Sequence, residues 1–198
     1  MKRKSKKTVV FGGLLMAILV ILDQVTKFLA ASMLKGHSAV ELIPGVFELR
    51  YLENQSAAFG VDIVSILQKV FHFSYFEEHP EAFLSCKMAL FAVFTIIVIV
   101  LLMMLYVRVP EANKRFYYMD AIILCFTAGA IGNCIDRVVH NYVIDFFYFR
   151  LINFPIFNVA DIYVTVSAFF LIVLGLFYYK EEDFELIFPS KEKKEHNI

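Results

Sequence analysis

Three aspartates (Asp136, Asp145, Asp161), Arg137 beside the first of them and the carboxamides Asn133, Asn153 and Asn158 fall within residues 128–161, AGAIGNCIDRVVHNYVIDFFYFRLINFPIFNVAD, between two strongly apolar runs. An ionisable side chain in such surroundings is costly unless it is paired or used, so the cluster is a site hypothesis by default. Two carboxylates brought together can share one proton, because like charges at short range push one of them toward its neutral form. One then serves as general base and the other as acid; a proton or ion relay in a small transporter would use the same residue types.

Other chemistries find little footing. There is no GxSxG, Ser56 and Ser167 lack a motif-placed base, and HExxH and glycine-rich phosphate loops are absent. His72 and His79 have no ligand-spaced partners, and Cys86, Cys125 and Cys134 form no CxxC, so the cysteines read as small buried hydrophobes. No metal or organic cofactor is expected, and no basic, aromatic-interleaved patch suggests nucleic acid.

The elements that must position the cluster are membrane helices. Of 198 residues, 60% are hydrophobic and 22 are phenylalanine, with a mean hydropathy of +0.67. A soluble domain of that size could not cover its surface with polar groups. The expected fold is a mainly α membrane protein with four transmembrane helices and a small extracytoplasmic β-containing region. The spans are read at Val9–Ala31, Met88–Val107, Phe116–Ile135 and Ile156–Tyr179. Although MKRKSKK and the apolar run after it resemble a secretory signal, Asp23, Gln24 and Lys27 interrupt the approach to a cleavage site, so a retained helix is expected. Residues 1–180 read as one membrane domain, including an outer loop region at about 35–85, and 181–198 as a charged cytoplasmic tail needing no packed structure.

Within that frame Asp23 and Lys27 are i,i+4 and can pair on one helix face. Gly129 and Gly132 offer a flat strip for close packing, with Asn133 and Asp136 on the neighbouring turn. Asp136, with the adjoining Arg137 as its local charge partner, reads first as knitting helix ends together; for Asp145 and Asp161 the residues alone leave structural and chemical roles open. Asp161 is placed about 5 residues, roughly 8 Å, into the fourth span. Val46–Leu52 alternates as a strand after a Pro44-Gly45 turn, and Val61–Phe73 reads as a short surface helix ended by an acidic break, EEHPE. Basic residues crowd the first seven positions and the Arg108–Arg115 hairpin, so both termini are expected in the cytoplasm and the polar helix ends on the outer face.

The chain resembles the lipoprotein signal peptidase (signal peptidase II) family of membrane aspartic peptidases. The matching blocks are Asp23-Gln24-x-x-Lys27, Asn54-x-x-Ala57-Ala58-Phe59-Gly60, Gly129-x-x-Gly132-Asn133-x-x-Asp136-Arg137, Val143-x-Asp145-Phe146 and Phe154-Pro155-x-Phe157-Asn158-x-Ala160-Asp161. Ser56, Ala128 and Asn141 stand where the family pattern has glycine, and Val61–Ser85 is longer than the usual outer connection. The resemblance implies an aspartic endopeptidase with Asp145 and Asp161 as catalytic dyad, and Asn54, Asn133, Asp136, Arg137 and Asn158 shaping the pocket. Asp23 and Lys27 support it from the first span. It further implies a monomeric multi-pass protein of the bacterial cytoplasmic (inner) membrane, in contact with membrane lipids. Its substrates would be diacylglyceryl-modified prolipoproteins, cleaved just before the lipidated cysteine on the extracytoplasmic side. A small four-helix transporter or proton-relay protein is the alternative from another class, and a membrane scaffold a third.

Overall fold

A computed structural model of the chain describes residues 4–56, 65–66, 68, 74–111 and 113–188. In order the elements are α1 (Lys6–Leu34), β1 (Val40–Ile43), β2 (Phe47–Asn54), α2 (Pro80–Arg108), α3 (Tyr117–His140), β3 (Val143–Phe149), α4 (Val159–Phe177) and α5 (Glu181–Ile187), with a helical turn at Ser74–Glu78 before α2. Helices α1 to α4 are long and apolar enough to cross a bilayer.

Local chemistry sets the helix ends. Ser5 caps α1, its Oγ accepting from the Thr8 amide at 3.2 Å, and Pro80 opens α2 at a position whose missing N–H costs no helical bond. Asn141 closes α3 in the left-handed region, at φ 63°. That conformation favours glycine, and asparagine is the side chain that tolerates it next best, which explains its presence at a position where the sequence pattern calls for glycine.

Helix α3 is the central element, packing against α1, α2 and α4 and far more buried than its three neighbours. Its glycines make the closest approaches. A Cβ on Gly129 would run into the Ala160 carbonyl oxygen of α4, and one on Gly132 into the Asp23 carboxylate of α1. The expected flat strip is therefore real, and it serves two helices rather than one.

The strands form an antiparallel sheet in the order β1-β2-β3. Pro44 and Gly45 make the β1–β2 turn, with the Val46 amide donating to the Ile43 carbonyl at 2.9 Å and Gly45 at φ 70°. Across β2 and β3, Asn54 lies opposite Val143 and Leu52 opposite Asp145. Ile144 and Phe146 of β3 join Ala30 and Leu34 of α1 in a small core that seats the sheet on the C-terminal end of α1. A second core gathers Tyr106, Val109, Phe116, Tyr179 and Ile187.

Several expectations need correction. The second span begins at Pro80, so EEHPE is a helical turn running into a helix start, not a break between a surface segment and a span at Met88. Two strands, β1 and β3, were not expected. The fourth helix starts at Val159, which puts Asp161 in its first turn instead of 8 Å inside it. The start of the tail is helical: in α5 Ile187 is buried and Asp183 pairs with Arg115 at 3.0 Å. Cys134 is buried as expected, but Cys125 is half-buried and Cys86 exposed. The expected surface helix at 61–73 lies outside the described residues save for 65, 66 and 68.

Candidate active site

Asn158 is where the site is assembled. It caps α4: its Oδ1 accepts from the Asp161 amide at 3.0 Å, while its own amide donates to Asp161 Oδ2 at 3.1 Å, a reciprocal capping box. Because the cap commits its oxygen to the helix, the Nδ2 group must face outward, and it donates to Asp145 Oδ1 at 2.6 Å. One fully buried asparagine thus holds a carboxylate on β3 and a carboxylate on α4 in the same pocket.

The remaining donors come from other elements. Asn54 on β2 donates from Nδ2 to Asp145 Oδ2 at 2.8 Å, and Asn133 on α3 donates from Nδ2 to Asp161 Oδ1 at 2.8 Å. All four carboxylate oxygens of Asp145 and Asp161 are therefore hydrogen-bonded by neutral amides. Asp145 is buried and Asp161 half-buried. Burial pushes the Asp145 carboxyl up to about 7, and the Asp161 charge pushes the same way; the amides of Asn54 and Asn158 and the Lys27 ammonium oppose it incompletely. Two carboxyls so placed can hold one proton between them, to be given and taken back.

Below the pair lies a buried ionic hub. Lys27 Nζ of α1 contacts Asp23 Oδ2 at 2.9 Å, Asp136 Oδ2 of α3 at 3.0 Å and Asn133 Oδ1 at 2.9 Å. Asp23 Oδ1 accepts from the Ala160 amide at the start of α4 (2.9 Å), where a helix offers unpaired donors and a positive dipole end. Asp136 Oδ2 also accepts from the Ile144 amide of β3 at 3.0 Å. Two aspartates and a lysine thereby tie α1, α3, α4 and the strand carrying Asp145 into one frame.

The expected site residues Asp23, Lys27, Asn54, Asn133, Asp136, Asp145, Asn158 and Asp161 all converge here. The Asp23–Lys27 pair forms as expected. For Asp136 the partner differs: its counter-ion is Lys27 from another helix, not the adjoining Arg137, because successive helical residues point about 100° apart. Arg137 donates instead to the Asn133 carbonyl at 3.3 Å, lies over the Phe91 ring and stays within electrostatic reach of Asp145 and Asp161. Asn153 does not join the site; it forms a left-handed turn at φ 48° and accepts from the Tyr148 hydroxyl at 2.6 Å. Gln24 joins the site beyond the residues expected from the sequence. Its Nε2 lies near Asp23 Oδ2, Asp136 Oδ1 and the Gly132 carbonyl at 3.1 to 3.2 Å, and its place between Asp23 and Lys27 was the signal available.

Among the described residues no group of three His, Cys, Asp or Glu side chains is arranged to hold a metal ion. The arrangement can activate a water from one carboxylate while the other protonates a carbonyl oxygen.

Comparison with known proteins points to signal peptidases. The sequence pattern of the family described as Signal peptidase (SPase) II matches residues 15–177. A protein named lipoprotein signal peptidase from Caldanaerobacter subterraneus subsp. tengcongensis is 37% identical over 164 residues, covering 82% of this chain and 94% of that one. Its namesake from Staphylococcus haemolyticus is 34% identical over 172 residues, covering 85% and 93%. A solved bacterial membrane enzyme superposes with a TM-score of 0.67 at 30% identity, over 91% of this chain and 97% of that one.

Proposed function

This chain belongs to the signal peptidase II family, and we propose that it removes signal peptides from diacylglyceryl-modified prolipoproteins by way of Asp145 and Asp161. It is a multi-pass bacterial membrane protein and a peptidase of the lipoprotein signal peptidase kind. A transporter or relay reading finds no support among its relatives. The observation that carries the catalytic assignment is the Asn158 bridge, which holds one carboxylate by the helix cap and the other by its side-chain amide at 2.6 Å.

In this reading the ionised member of the pair takes a proton from a water as its oxygen attacks the scissile carbonyl. The protonated member donates to the carbonyl oxygen, giving a tetrahedral diol. Collapse of the diol breaks the C–N bond, the amine leaves with a proton, and the pair returns to its one-proton state. The amides of Asn54, Asn133 and Asn158 hold both carboxylates in place without titrating, and Arg137 supplies a positive field. A diacylglyceryl group on the cysteine after the cleaved bond keeps that bond at the membrane boundary. Asp161 sits in the first turn of α4, at one end of a helix long and apolar enough to cross a bilayer, which suits such a substrate.

The finer placement follows from charge. Lys4, Lys6 and Lys7 flank the start of α1, and Arg108, Lys114 and Arg115 flank the α2–α3 connection, so both termini belong in the cytoplasm and the pair on the extracytoplasmic side. Residues 1–180 work as one monomeric membrane domain surrounded by lipid, with 181–198 as a cytoplasmic extension. The direct test is a gel-mobility assay of a diacylglyceryl-modified prolipoprotein incubated with this protein and with Asp161→Asn. Cleavage before the lipidated cysteine by the native protein alone is expected; equal cleavage by both would overturn the assignment.

A further inference from the structure

We propose that Lys27 is a positioning residue for the reaction, whose ammonium fixes the Asn133 side-chain amide so that its NH2 group faces Asp161. The proposal rests on Asp145 and Asp161 being the catalytic pair.

A carboxamide has two nearly isosteric ends, and only its neighbours decide which way it points. Lys27 Nζ carries three donors and no acceptor, and its three partners are Asp23 Oδ2, Asp136 Oδ2 and Asn133 Oδ1, at 2.9, 3.0 and 2.9 Å. Every N–H is committed, so the ammonium cannot turn without abandoning a buried partner. Its side chain is 2% exposed. The Asn133 oxygen must therefore face Lys27, and it also accepts from Asn158 Nδ2 at 3.1 Å. Only in that orientation does Asn133 Nδ2 reach Asp161 Oδ1 at 2.8 Å. Turned around, the amide would set its NH2 group against the ammonium and the Asn158 NH2 group, and its oxygen against a carboxylate.

The two amides that join the pair to its surroundings are oriented by different devices, and Asn158 Nδ2 adds to the hold on the Asn133 oxygen. Asn158 is set by the helix cap, and Asn133 by an ammonium held between two carboxylates. Those carboxylates are fixed in turn by the backbone amides of Ala160 and Ile144 and by Gln24. The charged groups facing the pair are Lys27 and Asp23 from α1 and Asp136 and Arg137 from α3; β2 brings the uncharged Asn54 amide. Removing Lys27 therefore does two things at once. It takes away a cation that favours ionised carboxylates, and it frees the Asn133 amide to present oxygen to Asp161. Both make the pair hold its proton more tightly.

The test uses the full-length protein in lipid and single-turnover cleavage of a diacylglyceryl-modified prolipoprotein from about pH 4 to about pH 9. Lys27→Met leaves Asp23 and Asp136 facing each other without a cation, so Lys27→Met/Asp136→Asn, which removes one charge of each sign, is made beside it. Rates are compared per folded molecule. The expected result for the double variant is a rate lowered about 10- to 100-fold with substrate affinity within about 3-fold, and a pH bell moved about one unit upward. Adding Asn133→Ala should cost much less in the double variant than in the native protein, since the amide is already released there. A purely structural Lys27 would lower the folded fraction and leave the bell where it was. An unmoved bell at a rate within about 3-fold of native, or an Asn133→Ala cost that is the same in both backgrounds, overturns the proposal. Asp145→Asn and Asp161→Asn run alongside. If they cleave, the catalytic pair itself is wrong; if they are inactive while the Lys27 bell stays put, only the positioning role falls.

Discussion

Two pairs of aspartates, joined through Asn133, which meets the Lys27 ammonium at one end and Asp161 at the other, are treated in opposite ways. Asp23 and Asp136, 0% and 1% exposed, share the Lys27 ammonium and accept from backbone amides that cannot move. Asp145 and Asp161 receive neutral amides on all four oxygens, and their cations stand one shell further away. An ammonium in contact offsets a buried negative charge more strongly than amide dipoles do. The hub is therefore built to hold helices together, and the pair to keep a proton in play.

The largest effect should come from breaking the pair. Asp145→Asn and Asp161→Asn keep side-chain shape and remove one acid/base partner, so cleavage should fall at least about 1,000-fold with the substrate still bound. Single-turnover assays beside a binding measurement check this; near-native cleavage by either variant would erase the distinction between pair and hub. Native activity should form a bell in pH whose limbs belong to the pair jointly. With the Asp145 carboxyl pushed up to about 7, the alkaline limb should lie near neutrality.

How much of this was legible in the sequence follows from what kind of signal each part leaves. The four spans were, because apolar runs of this length have few other uses. So was the Gly129–Gly132 strip, whose spacing alone puts both residues on one face. Strand β3 was not: VIDFFYF is buried at its first four positions on both faces, which erases the period-two pattern a strand is read by. The depth of Asp161 was misjudged because Phe154–Phe157 is as apolar as a helix while Pro155 keeps it extended. Asp136 was given the wrong partner because adjacency in sequence stood in for adjacency in space. The pair itself could be named from residue blocks, but its geometry depends on a capping box and a sheet register that appear only after folding.

Second in size should be the loss of a hub charge. Asp136→Asn leaves Lys27 with one carboxylate, and breaking a buried pair from one side typically costs about 3–5 kcal/mol. Asp145→Asn should do the reverse. A carboxyl near 3.9 when unfolded and about 7 when folded binds more protons in the folded state between those values, so native stability falls as pH rises through that window. Asp145→Asn removes that slope. Thermal melts of native, Asp136→Asn and Asp145→Asn protein at about pH 4.5 and about pH 7.5 separate the two kinds of aspartate. If Asp145→Asn loses as much stability as Asp136→Asn at the higher pH, both aspartates belong to one structural network.

A smaller effect is expected where the hub meets the helix strip. Gly132→Ala places a methyl against the Asp23 carboxylate, and Gly129→Ala places one against the Ala160 carbonyl. Either must separate helices, at about 1–3 kcal/mol. Because Asp23 anchors α4 through the Ala160 amide, Gly132→Ala should also lower the rate per folded molecule, as α4 carries Asp161. A melting temperature and rate that both match the native protein would show that α3 does not hold the hub closed.

The smallest effect tests the joint between hub and pair. Asn141 turns α3 into β3 at φ 63°, and three residues later the Ile144 amide reaches back to Asp136 while Asp145 faces the pair. The turn must reverse the chain within two residues for both contacts to form, and the left-handed conformation accomplishes this. Asn141→Gly should be within about 0.5 kcal/mol of native, since glycine adopts that conformation without strain but loses more entropy on folding. Asn141→Ala places a Cβ side chain in the left-handed region without the local hydrogen bonding available to asparagine, and should cost about 1 kcal/mol. Rates per folded molecule should be close to native in both, because the hub, once formed, fixes Ile144 independently of the turn. Melting curves and single-turnover rates of the two variants decide it. If Asn141→Ala is as stable as Asn141→Gly, backbone strain plays no part here; if its rate collapses while its fold survives, the turn and not the hub places Asp145.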